Sequence, residues 1–231
     1  MSDNSKITDN SRRLAIFDLD YTLTRKGTWG RFVWLNVRFK PWLWVPLLLA
    51  AAWAQWRYKQ GYIERVRVKM AMMRWSIKGK TKTQLTKTAI KFADNEVPDR
   101  LRPGGLEALR QHQAAGDTVI IVSAAVDILV KEVSNQLGIE HYLATDMKWD
   151  EHQIVELDFA SPNCYGPEKV RRLEQFFEQH PQMSKLPRIM YSDSHSDLDI
   201  MLYCDEAVAV HPSKKLEKLA KEHGFPIVNW D

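Results

Sequence analysis

Two carboxylates one residue apart are the most informative chemical feature of this 231-residue chain. Asp18 and Asp20 directly follow the apolar run 14–17, which predicts a short buried strand. Residues i and i+2 of an extended chain point to the same side, so both carboxylates would face one pocket at the strand end. Such a pair can hold a hard cation such as Mg²⁺, and a carboxylate can act as a nucleophile. Because an Asp-x-Asp sequence also occurs in solvated turns, the pair alone does not establish a site.

Three more groups of reactive side chains follow along the chain. Ser123 comes directly after a β-branched run, and Lys169 opens a helix-like segment. Asp193 and Asp197 follow a third apolar run. Three of the four groups therefore stand at the ends of predicted strands. Ligands of open α/β sheets bind at the carboxyl ends of strands, so these groups could share one site.

The order of carboxylate pair, hydroxyl, lysine and second carboxylate pair resembles the haloacid dehalogenase superfamily, specifically its phosphoserine-phosphatase-like branch of magnesium-dependent phosphatases. The resemblance covers about residues 13–228. It implies a Rossmann-like, doubly wound parallel α/β sheet with an inserted helical cap. It also implies Mg²⁺ as the cofactor and a phosphomonoester as the substrate.

The resemblance assigns a role to each residue. Asp18 would attack phosphorus and form an aspartyl-phosphate. Asp20 would protonate the leaving alkoxide and then take a proton from the attacking water. Ser123 would donate a hydrogen bond to a phosphoryl oxygen, and Lys169 would neutralise charge on Asp18 and the transferring group.

The second carboxylate pair would complete a metal site. Asp193 would bind Mg²⁺ together with the Asp18 carboxylate and the backbone carbonyl of Asp20, and Asp197 would orient the metal's waters or Lys169. Dehalogenases of the superfamily lack the second Asp of the first motif, and its cation pumps carry Thr there. Asp20 therefore favours a phosphatase.

Each of these residues also has a structural interpretation. Ser123 could begin a helix as its N-cap, and Lys169 could be a solvated charge at a helix start. Asp193 and Asp197 flank Ser194-His195-Ser196, which could cap the following helix.

Composition is that of an ordinary globular protein, with 45% hydrophobic and 27% charged residues. Residues 1–12 are polar and lack the apolar segment of a secretory signal, so we expect a disordered tail there. Cys164 and Cys204 are isolated thiols that predict neither a zinc site nor a disulfide. These features together predict a cytoplasmic protein.

Strand and helix patterns alternate in segments 13–24 and 98–231, which predicts a catalytic α/β core around a parallel sheet. Residues 25–97 are predicted to be an inserted helical cap. Within them, apolar residues recur at steps of three and four, as in an amphipathic helix. These residues are Ile63, Val66, Met70, Met73 and Ile77.

Positive charge is concentrated in the predicted cap. Residues 25–91 contain 16 Lys or Arg and one acid, Glu64, although the net charge of the whole chain is only +4. Residues 41–56 carry no charge. Cations flank this uncharged run on both sides: Arg38, Lys40, Arg57 and Lys59.

The uncharged run suggests contact with a membrane surface. Its 16 residues would span about 24 Å as a helix, which is short of a ~30 Å hydrocarbon core, and Pro46 disfavours a straight helix. Tryptophans beside cations are typical of a membrane interface. A helical hairpin entering one leaflet, with the cations against anionic headgroups, would explain both features and would place the protein peripherally on the inner face of the cytoplasmic membrane.

Two other interpretations of the run remain. The apolar residues could pack within the cap or against the core, with the cations on the solvent-exposed face of the cap. Cations interleaved with aromatics can also follow a phosphate backbone, but an uncharged block is a poor nucleic-acid surface, so this partner is disfavoured.

The substrate is only partly indicated. Phosphoserine phosphatases carry an acidic residue soon after the nucleophile motif to hold the substrate's ammonium, whereas Arg25 and Lys26 stand there in this chain. The arrangement resembles bacterial phosphatidylglycerophosphatases, which implies a lipid phosphate such as phosphatidylglycerophosphate or lysophosphatidate. A soluble phosphorylated alcohol such as phosphoserine is the alternative. A membrane-bound regulatory protein without turnover is a third hypothesis, and the complete catalytic set argues against it.

Overall fold

A computed structural model of the protein describes residues 12–231, so the predicted tail 1–12 lies outside the described residues except for Arg12. The strands are β1 (Leu14–Phe17), β2 (Thr118–Val126), β3 (His141–Thr145), β4 (Met147–Trp149), β5 (Val155–Phe159), β6 (Arg188–Ser192), β7 (Glu206–Val210) and β8 (Ile227–Val228). Six of them form one sheet in the order β3-β2-β1-β6-β7-β8, and all neighbours in it are parallel. Strands β4 and β5 form a separate antiparallel hairpin.

Helices cover both faces of this sheet. They are α1 (Thr28–Val37), α2 (Trp44–Lys59), α3 (Arg65–Ser76), α4 (Lys82–Arg100), α5 (Pro103–Ala115), α6 (Asp127–Gln136), α7 (Pro167–Gln179), α8 (Leu198–Tyr203) and α9 (Lys214–His223). The central strand β1 is buried on both sides. Leu14 and Ile16 pack with α7, α8 and α9, whereas Ala15 and Phe17 pack with α5 and α6. The predicted doubly wound α/β fold is confirmed.

The carboxyl ends of β1, β2 and β6 lie at one edge of the sheet, because the three strands are adjacent and parallel. Strand β2 is longer than its apolar run predicts. It continues to Val126, and its register with β3 is irregular between Val122 and Val126. Ser123 lies in this irregular part, where a strand can re-aim a side chain.

The segment between β1 and β2 is helical, as its periodicity predicts. Helix α3 lies where the apolar residues recur, and a capping box at Thr81 begins α4. Helix α4 continues through Pro98 to Arg100 and so extends past residue 97, the predicted end of the cap. The proline lies in the last turn of α4, and the next helix begins at Pro103.

The uncharged run is one helix and not a hairpin. A 3₁₀ turn (Pro41–Leu43) leads directly into α2. The expectation that Pro46 disfavours a straight helix is wrong, because Pro46 falls in the first turn of α2, where the backbone N–H has no partner within the helix. Within residues 12–231, every helix is too short or too polar to cross a bilayer.

Candidate active site

Asp18 directly follows β1 and is held at the centre of the sheet edge. Its backbone N–H donates to the carbonyl of Tyr191 over 3.0 Å, which continues the ladder between β1 and β6. The side chain is buried. Its Oδ1 accepts a hydrogen bond from the Lys169 ammonium over 2.7 Å.

Asp20 reaches the same cavity as Asp18 through a sharp turn. The backbone of Leu19–Leu23 turns sharply and is not helical at Asp20 and Tyr21, and Tyr21 has a φ of 65° in the left-handed region. The Asp20 Oδ1 accepts a hydrogen bond of 2.8 Å from the backbone N–H of Thr28, at the start of α1. Burial raises the pKa of Asp20, whereas this hydrogen bond lowers it. A raised pKa suits a group that must carry a proton before it acts as an acid.

Lys169 is buried between two carboxylates. It is the third residue of α7, and its Nζ lies 2.7 Å from Asp18 Oδ1 and 2.7 Å from Asp197 Oδ2. Burial lowers the pKa of Lys169, but the two carboxylates raise it by more, so the ammonium stays charged. The interpretation of Lys169 as a solvated surface charge is therefore wrong.

Thr22 joins the first carboxylate pair to the second. Its Oγ1 lies 3.5 Å from Asp18 Oδ2 and 3.2 Å from Asp193 Oδ1, and it accepts a hydrogen bond from the Asp193 backbone N–H over 3.0 Å. Asp197 instead accepts from Lys169 and from Ser192, whose hydroxyl lies 2.7 Å from the same Oδ2. Of its two predicted roles, this geometry favours the orientation of Lys169.

Ser123 also lines the cavity. It is buried, and its Oγ accepts a hydrogen bond of 3.1 Å from the backbone N–H of Ala125, two residues on. The N-cap of the next helix, α6, is Val126 and not Ser123. The hydroxyl hydrogen is therefore free to point towards a ligand in the cavity.

The site gathers more negative charge than Lys169 can balance. Burial raises the pKa of Asp18, and the neighbouring Asp197 and Asp193 add to this rise, although Lys169 opposes it. Burial and the charge of Asp197 likewise raise the pKa of Asp193 to about 6. A divalent cation would relieve this repulsion and keep both carboxylates ionised.

The donor set fits Mg²⁺. No three His, Cys, Asp or Glu side chains of residues 12–231 form a metal site by themselves. Magnesium keeps several waters and is commonly held by one or two carboxylates plus a phosphate of the substrate. The Asp18 and Asp193 carboxylates, which share a contact with Thr22, meet that requirement.

Sequence reasoning missed a group of residues that α3 and its neighbours bring to the site. The Lys69 ammonium donates to the carbonyl of Ala124, the residue after Ser123, and to Asn163 Oδ1 over 2.7 Å. Burial lowers the pKa of Lys69 to about 8. Arg65, one turn earlier, lies 4.7 Å from the ring of Tyr165, and both line the cavity. The sequence carries no signal that distinguishes these two residues from other cations of α3 such as the exposed Arg67.

These groups surround a cavity of about 90 Å³ at the carboxyl edge of the sheet, with Asp18, Asp20, Ser123 and Lys169 in its wall. A buried carboxylate beside a lysine, at the edge of a parallel α/β sheet, is typical of an enzyme that transfers or hydrolyses a charged group. The model of the family described as haloacid dehalogenase-like hydrolase matches residues 15–202. The chain belongs to this family.

Three similar proteins illustrate the relationship. Protein CicA of Caulobacter vibrioides is 28% identical over 194 residues, which cover 84% of this chain and 83% of CicA. Histidinol-phosphatase of Neisseria meningitidis is 26% identical over 152 residues, 65% of this chain and 68% of that enzyme. A substrate-bound phosphoserine phosphatase has the same fold, with a TM-score of 0.65 at 14% identity over 95% of this chain and 94% of that structure.

Proposed function

We propose that the protein is a Mg²⁺-dependent phosphomonoesterase that works through an aspartyl-phosphate on Asp18. The observation that carries the proposal is the placement of the Asp18 carboxylate, 2.7 Å from a buried lysine and in the same cavity wall as Asp20. One cavity therefore holds the three groups that the reaction needs: a nucleophile, a proton donor and a group that neutralises charge.

In the first step, an oxygen of Asp18 bonds to phosphorus and the ester P–O bond breaks. The leaving alkoxide takes its proton from Asp20, which the backbone N–H of Thr28 holds in place. In the second step, water attacks the phosphorus and gives a proton to Asp20. The bond to Asp18 then breaks, which releases inorganic phosphate and restores the carboxylate.

Lys169 and Ser123 would stabilise the charge that develops on the phosphoryl oxygens. Asp18, Asp193 and the backbone carbonyl of Asp20 would hold Mg²⁺, which neutralises charge on the transferring phosphoryl group when it is bound. Asp197 would orient Lys169, whose ammonium it contacts over 2.7 Å.

Two classes of alcohol remain candidates for the leaving group. A lipid phosphate, such as phosphatidylglycerophosphate or lysophosphatidate, is favoured by the basic, tryptophan-rich segment 25–97, which we take as the cap over the site. A soluble phosphorylated alcohol is favoured by the named substrates of the relatives, histidinol phosphate and phosphoserine. A cavity of about 90 Å³ accommodates the phosphoryl group in either case, while the alcohol would extend towards the opening.

The decisive experiment measures inorganic phosphate released from lipid and soluble phosphomonoesters, with Mg²⁺ and with EDTA. We expect turnover of at least one ester with Mg²⁺ and none with EDTA. Turnover in a rigorously metal-free preparation would overturn the role of Mg²⁺. Failure to hydrolyse any member of the panel, p-nitrophenyl phosphate included, would overturn the proposed activity.

Asp18→Asn provides the matched test of the nucleophile. The amide has nearly the same shape as the carboxylate but is a poor nucleophile, so we expect activity to fall by about 10³-fold or more while circular dichroism is unchanged. Asp199→Asn, on the exposed side of α8, should retain wild-type activity. An Asp18→Asn variant with more than a few per cent of wild-type activity would rule out the aspartyl-phosphate.

A further inference from the structure

The solvent-facing side of α2 is apolar. Large side chains recur along it at steps of one, three and four residues, and they are between 47% and 67% exposed: Val45, Leu48, Leu49, Trp53 and Trp56. This spacing places them on one side of the helix. Trp42, in the preceding turn, is 69% exposed. We call these six residues the outer face of α2.

The other side of α2 already serves as the contact with the rest of the protein. Leu47 and Ala54 are buried there, and α2 packs against α3. Helix α2 is therefore apolar on both sides, whereas a surface helix of a globular protein is apolar only on its core side. Nine of the thirteen large hydrophobic side chains that residues 12–231 expose lie between Trp34 and Tyr62. So concentrated a patch indicates an interaction surface.

Cations border the outer face at both ends. They are Arg38, Lys40, Arg57 and Lys59, all exposed. In the part of the chain that the structure describes, none of them forms an ion pair. Glu64 is the only acid in residues 25–91, so the segment offers these four cations a single carboxylate.

We propose that the outer face of α2 binds the surface of an anionic phospholipid bilayer, with α2 lying in the plane of the interface. A helix of 16 residues is too short to cross the hydrocarbon core but has the apolar side, the aromatic residues and the flanking cations of an interfacial helix. The apolar residues enter the acyl region while the cations contact lipid phosphates.

Charge argues against a second copy of the chain as the occupant. A two-fold pairing of outer faces would bring the same cations of both copies together around the contact. An anionic bilayer instead offers acyl chains to the apolar residues of the outer face and lipid phosphates to the cations that border it.

This inference goes beyond the proposed function, because the outer face lies apart from the catalytic cavity. Helix α3 packs against α2 and itself supplies Arg65 to the cavity wall. No residue of the outer face lines that cavity. Binding to vesicles and hydrolysis of a small soluble ester can therefore be measured independently.

The test is cosedimentation of the full-length protein with phosphatidylcholine vesicles that contain or lack phosphatidylglycerol, over a range of salt concentrations. We expect binding only to the anionic vesicles, and weaker binding at high salt, because the surface attraction is screened over about 8 Å at physiological ionic strength. The triple variant Leu48→Gln, Leu49→Gln, Trp53→Gln should lose binding at every salt concentration. The double variant Arg57→Gln, Lys59→Gln should bind about fivefold more weakly for each cation removed.

Matched controls lie on α8 and α9, which contribute no residue to the outer face of α2. Leu202→Gln removes an apolar side chain that is 52% exposed on α8, and Lys218→Gln with Lys221→Gln removes two exposed cations of α9. Both should bind vesicles as the wild type does. All variants should keep the circular dichroism of the wild type and its hydrolysis of p-nitrophenyl phosphate.

Three results would overturn the inference. The first is a wild-type protein that does not bind anionic vesicles, and the second is a triple variant that binds them as well as the wild type does. The third is a wild-type dimer in analytical ultracentrifugation that the triple variant abolishes, which would assign the outer face to a second copy. Vesicle binding without any phosphoester hydrolysis would refute the proposed function and leave this inference standing.

Discussion

Lys169 balances only part of the negative charge at the end of β1, and this imbalance sets the chemistry of the site. Its ammonium contacts Asp18 and Asp197, whereas the Asp193 carboxylate contacts a hydroxyl, that of Thr22. The nearest partner of the Asp193 carboxylate is thus a hydroxyl and not the ammonium, and burial together with the charge of Asp197 raises its pKa to about 6.

The raised pKa of Asp193 predicts how stability depends on pH without metal. The pKa is about 6 in the folded protein and 3.8 as the reference for an unfolded chain, so the folded state holds more protons between these values. The free energy of unfolding should therefore fall as pH rises from about 4 to 6. A difference of two pKa units corresponds to roughly 3 kcal/mol.

Thermal unfolding of metal-free wild type and Asp193→Asn measures this effect. The variant should show a flatter pH dependence in the window from pH 4 to 6, because its amide does not titrate. Added Mg²⁺ should stabilise the wild type more at pH 7 than at pH 4, and the variant much less at either pH. Equal slopes for wild type and variant would show that Asp193 titrates normally.

Lys69 links α3 to the loops around the cavity. Its ammonium contacts the backbone carbonyl after Ser123 and the amide of Asn163, which Thr145 also contacts over 3.1 Å. Both contacts cross from the predicted cap to the core. Lys69 is therefore placed to fix the segment that carries Ser123.

We predict that Lys69→Met lowers kcat/KM for p-nitrophenyl phosphate by about 10- to 100-fold, because two acceptors near Ser123 lose a charged donor. Lys69→Arg should recover part of the loss if a positioned cation is what matters. Arg67→Met, exposed on the same helix, is the control and should behave as wild type. Unchanged kinetics in Lys69→Met would show that the contact is structural only.

The same substitution should have a large effect on stability on one side of α2 and a small effect on the other. Leu47 is 6% exposed and belongs to the main hydrophobic core, whereas Leu48 is 67% exposed. Leu47→Ala should lower the free energy of unfolding by about 2–3 kcal/mol, and Leu48→Ala should change it by less than about 0.5 kcal/mol. Urea denaturation of both variants compares them directly. Similar losses would mean that α2 is packed differently.

Local patterns were sufficient to predict strands β1, β2 and β6 and the polar residues that follow them, and insufficient to predict contacts between elements. The runs 14–17 and 118–122 are buried on both faces of a parallel sheet, so their sequences are almost entirely apolar and do not alternate with polar residues. Because the strands pair in parallel, the polar residues that follow them lie at the same carboxyl edge of the sheet. The prediction from Pro46 was wrong because a proline disrupts a helix only beyond its first turn. The sequence did not show that α2 begins at Trp44, which places Pro46 within the first turn.

Lys69 and Arg65 could not be assigned from the sequence because their role depends on how α3 packs over the sheet. Charged residues on a helix face are usually solvated, and nothing local to α3 distinguishes these two from the exposed Arg67. The same limitation applies to Asp20, whose carboxylate is anchored by the start of α1 eight residues later. The turn at Tyr21 that makes this contact possible has no signature in the apolar pattern.

At the scale of the whole molecule, two hydrophobic cores lie on opposite faces of one sheet, and the proposed catalytic residues lie at the carboxyl edge of that sheet. Alternate residues of β1 belong to different cores, so neither core can be disrupted without the strand that precedes Asp18. We therefore expect the α/β core to unfold as one unit with its site.

The two thiols report on this unfolding. Cys164 is fully buried in the core on the α7 side, and Cys204 lies at the end of α8, also against that core. Burial raises the pKa of each thiol to about 12, so neither forms the reactive thiolate at neutral pH in the folded state.

Without denaturant, reaction with a disulfide reagent such as DTNB should be slow, and two equivalents should react at once in guanidinium chloride. If opening is global, both thiols should become reactive at the denaturant concentration at which circular dichroism is lost. Reaction of Cys204 well before Cys164 would instead show that the α8 edge opens separately from the sheet, and Cys204→Ser would then remove the early phase.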